Sequence, residues 1–240
     1  MSYKVYSKKR NHSYTWGAFP TFELIENRPD LLERVLIHSK TDPAIVADLL
    51  RRADPSLIVH DDPLLEKLAH RENVYVLGVF RPDVGRLTSG NHVVLDQPSN
   101  FGNLGTILRT ALGLGFQNIA LIGPACDVNH PQVIRAAMGA HFSLNIENFS
   151  DFESYLARFP NQSCFAFMGG SDLEVSQIHD VRESYSLFFG NESRGLPESV
   201  KAFATPVSIA MSSQIDSYNI TIAAAIGMYS FHQKRPINRP

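Results

Sequence analysis

The chain alternates, almost from end to end, between short apolar runs of β character and longer amphipathic segments. Strands are predicted over 34–38, 57–60, 74–80, 92–96, 118–122, 163–168, 186–189 and 205–211. Helices are predicted between them, over 20–27, 43–52, 63–70, 104–115, 131–139, 151–159, 197–203 and 217–233. Several of these helices open at a proline preceded by Asp or His, as at Asp42-Pro43, Asp62-Pro63 and His130-Pro131. Proline suits a first helical position because its missing N–H has no intrahelical partner there anyway. Strands that alternate with helices make an α/β fold with mostly parallel pairing. The polar, glycine-bounded stretch Gly85–Gly90 marks a boundary, with a small domain over 1–85 and a larger one over 91–240.

Composition bears on where such a chain works. With 240 residues, 44% hydrophobic and 19% charged, it can bury a sizeable core. No run of eighteen apolar residues occurs, so no membrane helix is expected. The basic start has no apolar stretch behind it, so no secretory signal is expected either. Cys126 and Cys164 are too far apart for metal-ligand spacing and read as reduced thiols of a cytoplasmic protein. No metal is expected. A formal net charge of −2 does not announce a nucleic-acid binder. The basic clusters Lys4, Lys8, Lys9, Arg10 and Lys234, Arg235, Arg239 read as solvated tails.

Three blocks carry chemistry. The first, "HVVLDQPSNFGNLGTILRTALGLGF", reads as strand, tight polar loop and helix. Asn103 is a natural helix cap. Leu104, Ile107, Leu108, Ala111 and Leu114 form the core face, and Arg109 lies opposite it on a stripe with Gly105 and Gly113. A cation flanked by two mid-helix glycines suggests close approach by a ligand or another helix, or an ordinary surface arginine. A dinucleotide loop needs a different glycine spacing and an acid on the next strand, and "ALIGPA" has none.

The second block, "SLFFGNESRGLPESV", is a buried strand running into a loop closed by Gly190 and Gly195 around Glu192. In open α/β sheets such strand ends are where ligands bind. Glu192 would receive a donor from a ligand or orient Arg109; capping the next helix or pairing with Arg194 are its structural alternatives. The third block, "VSIAMSSQIDSYNITIAAAIGMYSF", is strand, polar loop and helix, with Ser217 or Asn219 as cap. The helix is apolar nearly all round, which implies a subunit interface or a central position.

In this order and spacing the three blocks resemble the SpoU-type (TrmH-like) branch of the SPOUT RNA methyltransferases. Asn103, Gly105 and Arg109 match N-x-G-x-x-x-R. Gly190, Glu192 and Gly195 match G-x-E-x-x-G. Ile209, Met211, Ser217, Asn219 and Thr221 resemble the family's third motif, and "HPQVIRAAMGAHFSLNI" is similar to its segment ending in M-G-A. The likeness covers residues 91–233. Three departures stand out: Ala210 replaces a usual proline, Tyr218 replaces a usual leucine, and Asn100 with Gly102 forms a second Asn-x-Gly.

The resemblance implies a trefoil-knotted α/β methyltransferase domain, a homodimer, and S-adenosyl-L-methionine held by backbone at Gly190, Ile209 and Tyr218. Residues 1–85 are similar to a ribosomal-protein-like α/β domain that binds the RNA, ribosomal or transfer. The implied reaction is methylation of a ribose 2′-hydroxyl. Asn103 and Glu192 would position Arg109, and Ser217 and Asn219 would contact the nucleotide. Arg109 would anchor a phosphate or act as base. A guanidinium titrates above about 12, which favours the anchor. An RNA-binding protein that keeps the fold without catalysis is the alternative reading.

Overall fold

A computed structural model describes residues 3–234. In chain order the elements are β1 (Ser13–Trp16), α1 (Ala18–Asn27), β2 (Leu32–Ile37), α2 (Pro43–Arg52), β3 (Ile58–His60), α3 (Asp62–Ala69), β4 (Val76–Phe80), β5 (His92–Asp96), α4 (Phe101–Gly113), β6 (Asn118–Ile122), α5 (Pro131–Ala136), β7 (Asn145–Phe149), α6 (Phe152–Arg158), β8 (Ser163–Phe167), β9 (Tyr185–Phe189), β10 (Thr205–Val207) and α7 (Ile220–Lys234). Two compact units result. One comprises residues up to Asp83 together with Asp127–Ser143; the other comprises Val84–Cys126 and the chain from Leu144 onward.

The first unit has a four-stranded sheet in the order β1-β4-β2-β3, antiparallel except for the β2–β3 pair. Its core is built on Tyr14, Leu36, Leu65 and Leu77, all at most 1% exposed. Helix α2 starts as predicted, with Asp42 accepting from Ala44 N–H; α3 starts one residue earlier than expected, so that Asp61 rather than Asp62 is its cap and accepts from Leu64 N–H. The helix expected over 131–139 forms as α5 but packs on β1 rather than joining the larger domain in which the sequence placed it. Ser13 Oγ donates to the Asn129 carbonyl there. Strand β1 escaped the sequence reading because four residues behind a basic run carry little periodicity.

The second unit is a six-stranded sheet, entirely parallel, in the order β10-β8-β9-β5-β6-β7. Strands β5, β6 and β9 are buried at every position, as expected of central strands covered on both faces. Strand β7, "NIENF", alternates polar with apolar residues at the edge and was not expected as a strand. The glycine-bounded stretch at 85–90 is no loose linker. A Cβ on Gly85 would come within 2.5 Å of the Ile146 carbonyl oxygen. Leu87 N–H donates to Glu147 at 2.7 Å, and Arg158 donates to the Leu87 carbonyl at 3.0 Å.

Helix α7 packs against α4 and β9. A Cβ on Gly227 would meet the Phe167 ring at 2.7 Å and the Phe189 ring at 2.9 Å, so the helix lies close on that stacked pair. Its other side leaves Ile222 49% and Tyr229 55% exposed. At the amino ends of the strands, His92, Tyr155 and Ser186 form a buried chain with bonds of 2.7 and 2.6 Å. His92 Nε2 meets the Thr88 carbonyl at 2.9 Å, which assigns the proton to that nitrogen. Burial drives the His92 pKa down, so this imidazole is a neutral structural group.

Candidate cofactor cavity and catalytic loops

Four neighbouring strands of the parallel sheet, β10, β8, β9 and β5, deliver their carboxyl ends to one edge. The chain winds one way from β5 through β6 to β7, and β9 pairs on the other side of β5. Strand β5 is therefore a topological switch point, where the loops diverge and leave a crevice. A cavity of about 380 Å³ lies beside it, at the carboxyl ends of β8, β9 and β10. Its walls include Gly190, Glu192, Ile209, Met211, Ser217 and Tyr218.

The loop after β9 is the tightest part. Asn191 and Gly195 form an antiparallel bridge, with Gly195 N–H donating to the Asn191 carbonyl at 2.9 Å. Gly195 takes φ +68°, a left-handed conformation that suits glycine. A Cβ on Gly190 would lie 2.1 Å from the Gly195 carbonyl carbon, so position 190 admits no side chain.

Glu192 projects from this loop to the start of α4. Its carboxylate accepts from Ser99 Oγ at 2.9 Å, Ser99 N–H at 3.3 Å, Asn100 N–H at 3.1 Å and Asn103 Nδ2 at 3.4 Å. Burial opposes its charge, but its own backbone N–H, the Ser99 hydroxyl and the Asn100 and Ser99 N–H groups together outweigh burial and hold the carboxyl below its ordinary value. Two further bonds tie the same loops: Asn191 Nδ2 to the Gln97 carbonyl and Arg194 to Gln97 Oε1, both 2.7 Å. Gln97 sits at φ +46°. Beside it Asp96 is buried; burial pushes its carboxyl up, partly offset by the Gln97 side chain and Arg194. Gln97, Ser99 and Asn191 escaped the sequence reading as site residues, because no local pattern marks a loop residue whose partner lies some 93 positions away; Arg194, weighed as a partner of Glu192, bonds Gln97 instead.

The remaining residues divide. Helix α4 starts at Phe101, three residues before the expected start, so Asn100 is its cap and accepts from Asn103 N–H at 3.0 Å. That corrects the expected cap at Asn103 and leaves the Asn103 amide free to reach Glu192. Gly190, Ile209 and Tyr218 share the cavity with Ser217. Asn219 is the cap of α7, its Oδ1 accepting from Thr221 N–H at 2.8 Å.

Arg109 stands apart. It is exposed, and among the described residues it makes no hydrogen bond or ion pair. Six residues beyond Asn103, it sits about 9 Å along the helix and about a third of a turn round from it. Glu192 and Asn103 therefore bond each other but not Arg109, contrary to the positioning role expected of them. Of its glycine stripe, Gly105 is buried, whereas a Cβ on Gly113 would meet nothing within 4 Å.

The segment expected as a strand over 205–211 leaves the ladder after Val207, apart from a bridge at Ser208. Ile209 and Met211 thus reach the cavity with backbone outside the sheet. The two substitutions noted in this motif meet: Tyr218 Oη donates to the Ala210 carbonyl at 3.1 Å and closes the loop. The helix expected over 197–203 is a short 3-10 turn, Glu198–Ala202. Among the described residues no group of three or more His, Cys, Asp or Glu is placed to hold a metal ion, and no helix is long and apolar enough to cross a membrane.

A wholly parallel sheet with a cavity at its carboxyl ends, walled by glycine-bounded loops, defines an α/β ligand-binding domain. Residues 90–229 match the model of the SpoU rRNA Methylase family, and the chain belongs to that family. It is 31% identical over 144 residues to the 23S rRNA (adenosine(1067)-2'-O)-methyltransferase of Streptomyces azureus, covering 58% of this chain and 53% of that protein. It is 27% identical to the 23S rRNA (uridine(2479)-2'-O)-methyltransferase of Streptomyces viridochromogenes over 89% of this chain and 68% of that one. The chain spans about half the length of the first curated relatives it matches. The crystal structure of the SpoU methyltransferase AviRb from Streptomyces viridochromogenes in complex with the cofactor AdoMet superposes with a TM-score of 0.79 at 22% identity, covering 94% of this chain and 91% of that one. That likeness shows a shared fold.

Proposed function

We propose that this protein is an S-adenosyl-L-methionine-dependent RNA 2′-O-ribose methyltransferase acting on ribosomal or transfer RNA. The observation that carries the reading is the convergence of two distant sequence blocks on one cavity, with a carboxylate from the 190–195 loop bound to the start of α4. The residues fit the cofactor. The cavity is in the size range of small-molecule sites. It is walled by apolar Ile209 and Met211, by loop backbone outside the ladder, and by Gly190, whose missing side chain lets the backbone at Gly195 close against it and fix the wall. When bound, the cofactor supplies a methyl group on an electrophilic sulfonium.

The chain's own residues have to bring a ribose hydroxyl into line and accept its proton. Glu192 holds the Ser99–Asn103 loop in one geometry, so the start of α4 is set before substrate arrives; such preorganisation lowers the barrier. Ser217 lies at the cavity wall, where it would contact the nucleotide, with Asn219 at the head of α7 beside it. Arg109 would grip the phosphate next to the target ribose, for which its planar fork is suited.

A homodimer and a trefoil knot belong to the same reading. The exposed Ile222 and Tyr229 on α7, beside the helix that carries Arg109, support a second copy packing there. The first unit would bind the RNA. Incubation with methyl-labelled cofactor and 23S ribosomal or total transfer RNA tests the proposal. Label should enter RNA at alkali-resistant, 2′-O-methylated positions; cofactor binding without transfer to any RNA would leave only an RNA-binding protein of this fold.

A further inference from the structure

Strand β5 ends at Asp96, and the residue after it holds a conformation that disfavours it. Gln97 sits at φ +46°, in the left-handed region that glycine enters freely and a side chain does not. Backbone strain of this kind persists only where the surroundings impose it, and it gathers at functional sites. Here the surroundings are specific. Gln97 N–H donates to the carbonyl of Ile122, the last residue of β6, at 3.0 Å. Its own carbonyl accepts from Asn191 Nδ2, and its Oε1 accepts from Arg194 Nη2, both at 2.7 Å.

The fold leaves room for this side chain. Gly123 follows β6, and a Cβ there would come within 3.2 Å of Gln97 Cγ. The Gln97 side chain also favours the charged form of the neighbouring Asp96 carboxyl, which is 6% exposed, as an amide N–H donor does. An amide nitrogen only donates and its oxygen only accepts. A carboxyl on one side and a guanidinium on the other therefore fix which way the amide points. Asn191 and Arg194 line the cavity, and Gln97 stands behind them.

We propose that Gln97 is a positioning residue for the cofactor: acting through Arg194 and Asn191, it sets the 190–195 wall of the cavity from the end of β5. The proposal rests on the methyltransferase reading, because that supplies the cofactor. Neither of its two bonds to the loop involves Glu192, which braces the same loop against the start of α4. The wall is thus held from two sides. A glycine at position 97 would relieve the backbone but could not reach Arg194, which is the physical reason for a glutamine there.

The test uses the full chain, with S-adenosyl-L-methionine binding read by calorimetry and methyl transfer to 23S ribosomal or total transfer RNA read with labelled cofactor. Gln97→Gly keeps the carbonyl that Asn191 bonds and suits the left-handed backbone, so its melting temperature should match or exceed wild type. Without the amide, Kd and KM for the cofactor should rise about tenfold, the usual loss for one hydrogen bond to a charged group. The kcat at saturating cofactor should stay near wild type, because an interaction made equally in ground and transition states changes KM alone. Arg194→Met, at an exposed position, should weaken the cofactor to a similar degree. The double variant should be no weaker than either single one, since all three lack the same bond. Wild-type affinity in Gln97→Gly, losses that add in the double variant, or a fall in melting temperature that tracks the loss of affinity would each overturn the role of Gln97 and leave the methyltransferase reading standing. A wild-type chain that binds no cofactor would overturn that reading itself.

Discussion

Two parts of the parallel-sheet unit, only a few residues apart along α4, are built on opposite plans. The start of the helix is locked. Glu192 accepts four hydrogen bonds from Ser99, Asn100 and Asn103, and the Gln97 bonds to Asn191 and Arg194 close the same seam. Less than two turns on, Arg109 is exposed and bonded to nothing among the described residues. A carboxylate held by several donors loses little entropy on binding because its geometry is already set. A free guanidinium keeps its reach and its unsatisfied donors for an incoming anion. Under the proposed function the locked half would shape the cofactor side and the free cation would be left for the RNA.

The contrast breaks first at Arg109. Arg109→Ala should lower methyl transfer by about 10²–10³-fold, the usual cost of one charged donor at a reacting group. Cofactor affinity by calorimetry and the melting temperature should stay at wild-type values. A loss of cofactor binding would mean that Arg109 belongs to the locked half.

Gly190→Ala should do the reverse. Its new methyl group must displace backbone, at a cost of about 1–3 kcal/mol. Cofactor binding should fall below detection while the chain still folds; chemical denaturation separates the two effects. Wild-type affinity in this variant would move the cavity elsewhere.

Glu192→Gln keeps the shape and removes the charge. Weakening charge-assisted bonds by one or two kcal/mol should lower kcat about tenfold, with the KM for the cofactor little changed. The pH dependence carries a sign. The folded state holds the Glu192 carboxyl below its ordinary value. Its stabilising contribution is therefore complete above the unfolded-state value and disappears as pH falls through the folded one. Wild type should lose melting temperature on acidification through that window more steeply than Glu192→Gln; parallel curves would show that the seam contributes nothing.

The smallest expected effect is at Tyr218. Tyr218→Phe removes one neutral hydrogen bond to Ala210 and should weaken cofactor binding about three- to fivefold. Adding Ala210→Pro should recover part of it by stiffening the same loop. Equal affinities in all three proteins would show that the Tyr218 hydroxyl is idle.

Much of this molecule was legible one segment at a time. Strands β5 and β6 fall at the predicted residues, because a run of buried β-branched and aliphatic side chains between turn residues has few other uses. Helix α2 does so because Asp42-Pro43 is an unambiguous start. Legibility failed where a partner is remote. Glu192 offered several roles from sequence, and the structure selected one that involves Ser99 and Asn100. The 131–136 helix was read correctly as a helix but given to the wrong unit, since periodicity reports which face is apolar and not what covers it.

The amino-acid sequence by itself determined the α/β alternation, the helix starts at proline, the glycine positions that let the 190–195 loop close tightly, and the ordered blocks that carry the family's pattern. Those depend on backbone sterics and on neighbours within a turn or a pleat. Only the tertiary structure decided that Asn100 caps α4, that Glu192 braces that helix rather than Arg109, that Tyr218 closes onto Ala210, and that Gln97 meets Arg194. Each of these is a hydrogen bond or a buried charge whose free energy depends on which distant groups the completed sheets bring within about 3 Å, and no local pattern encodes that distance.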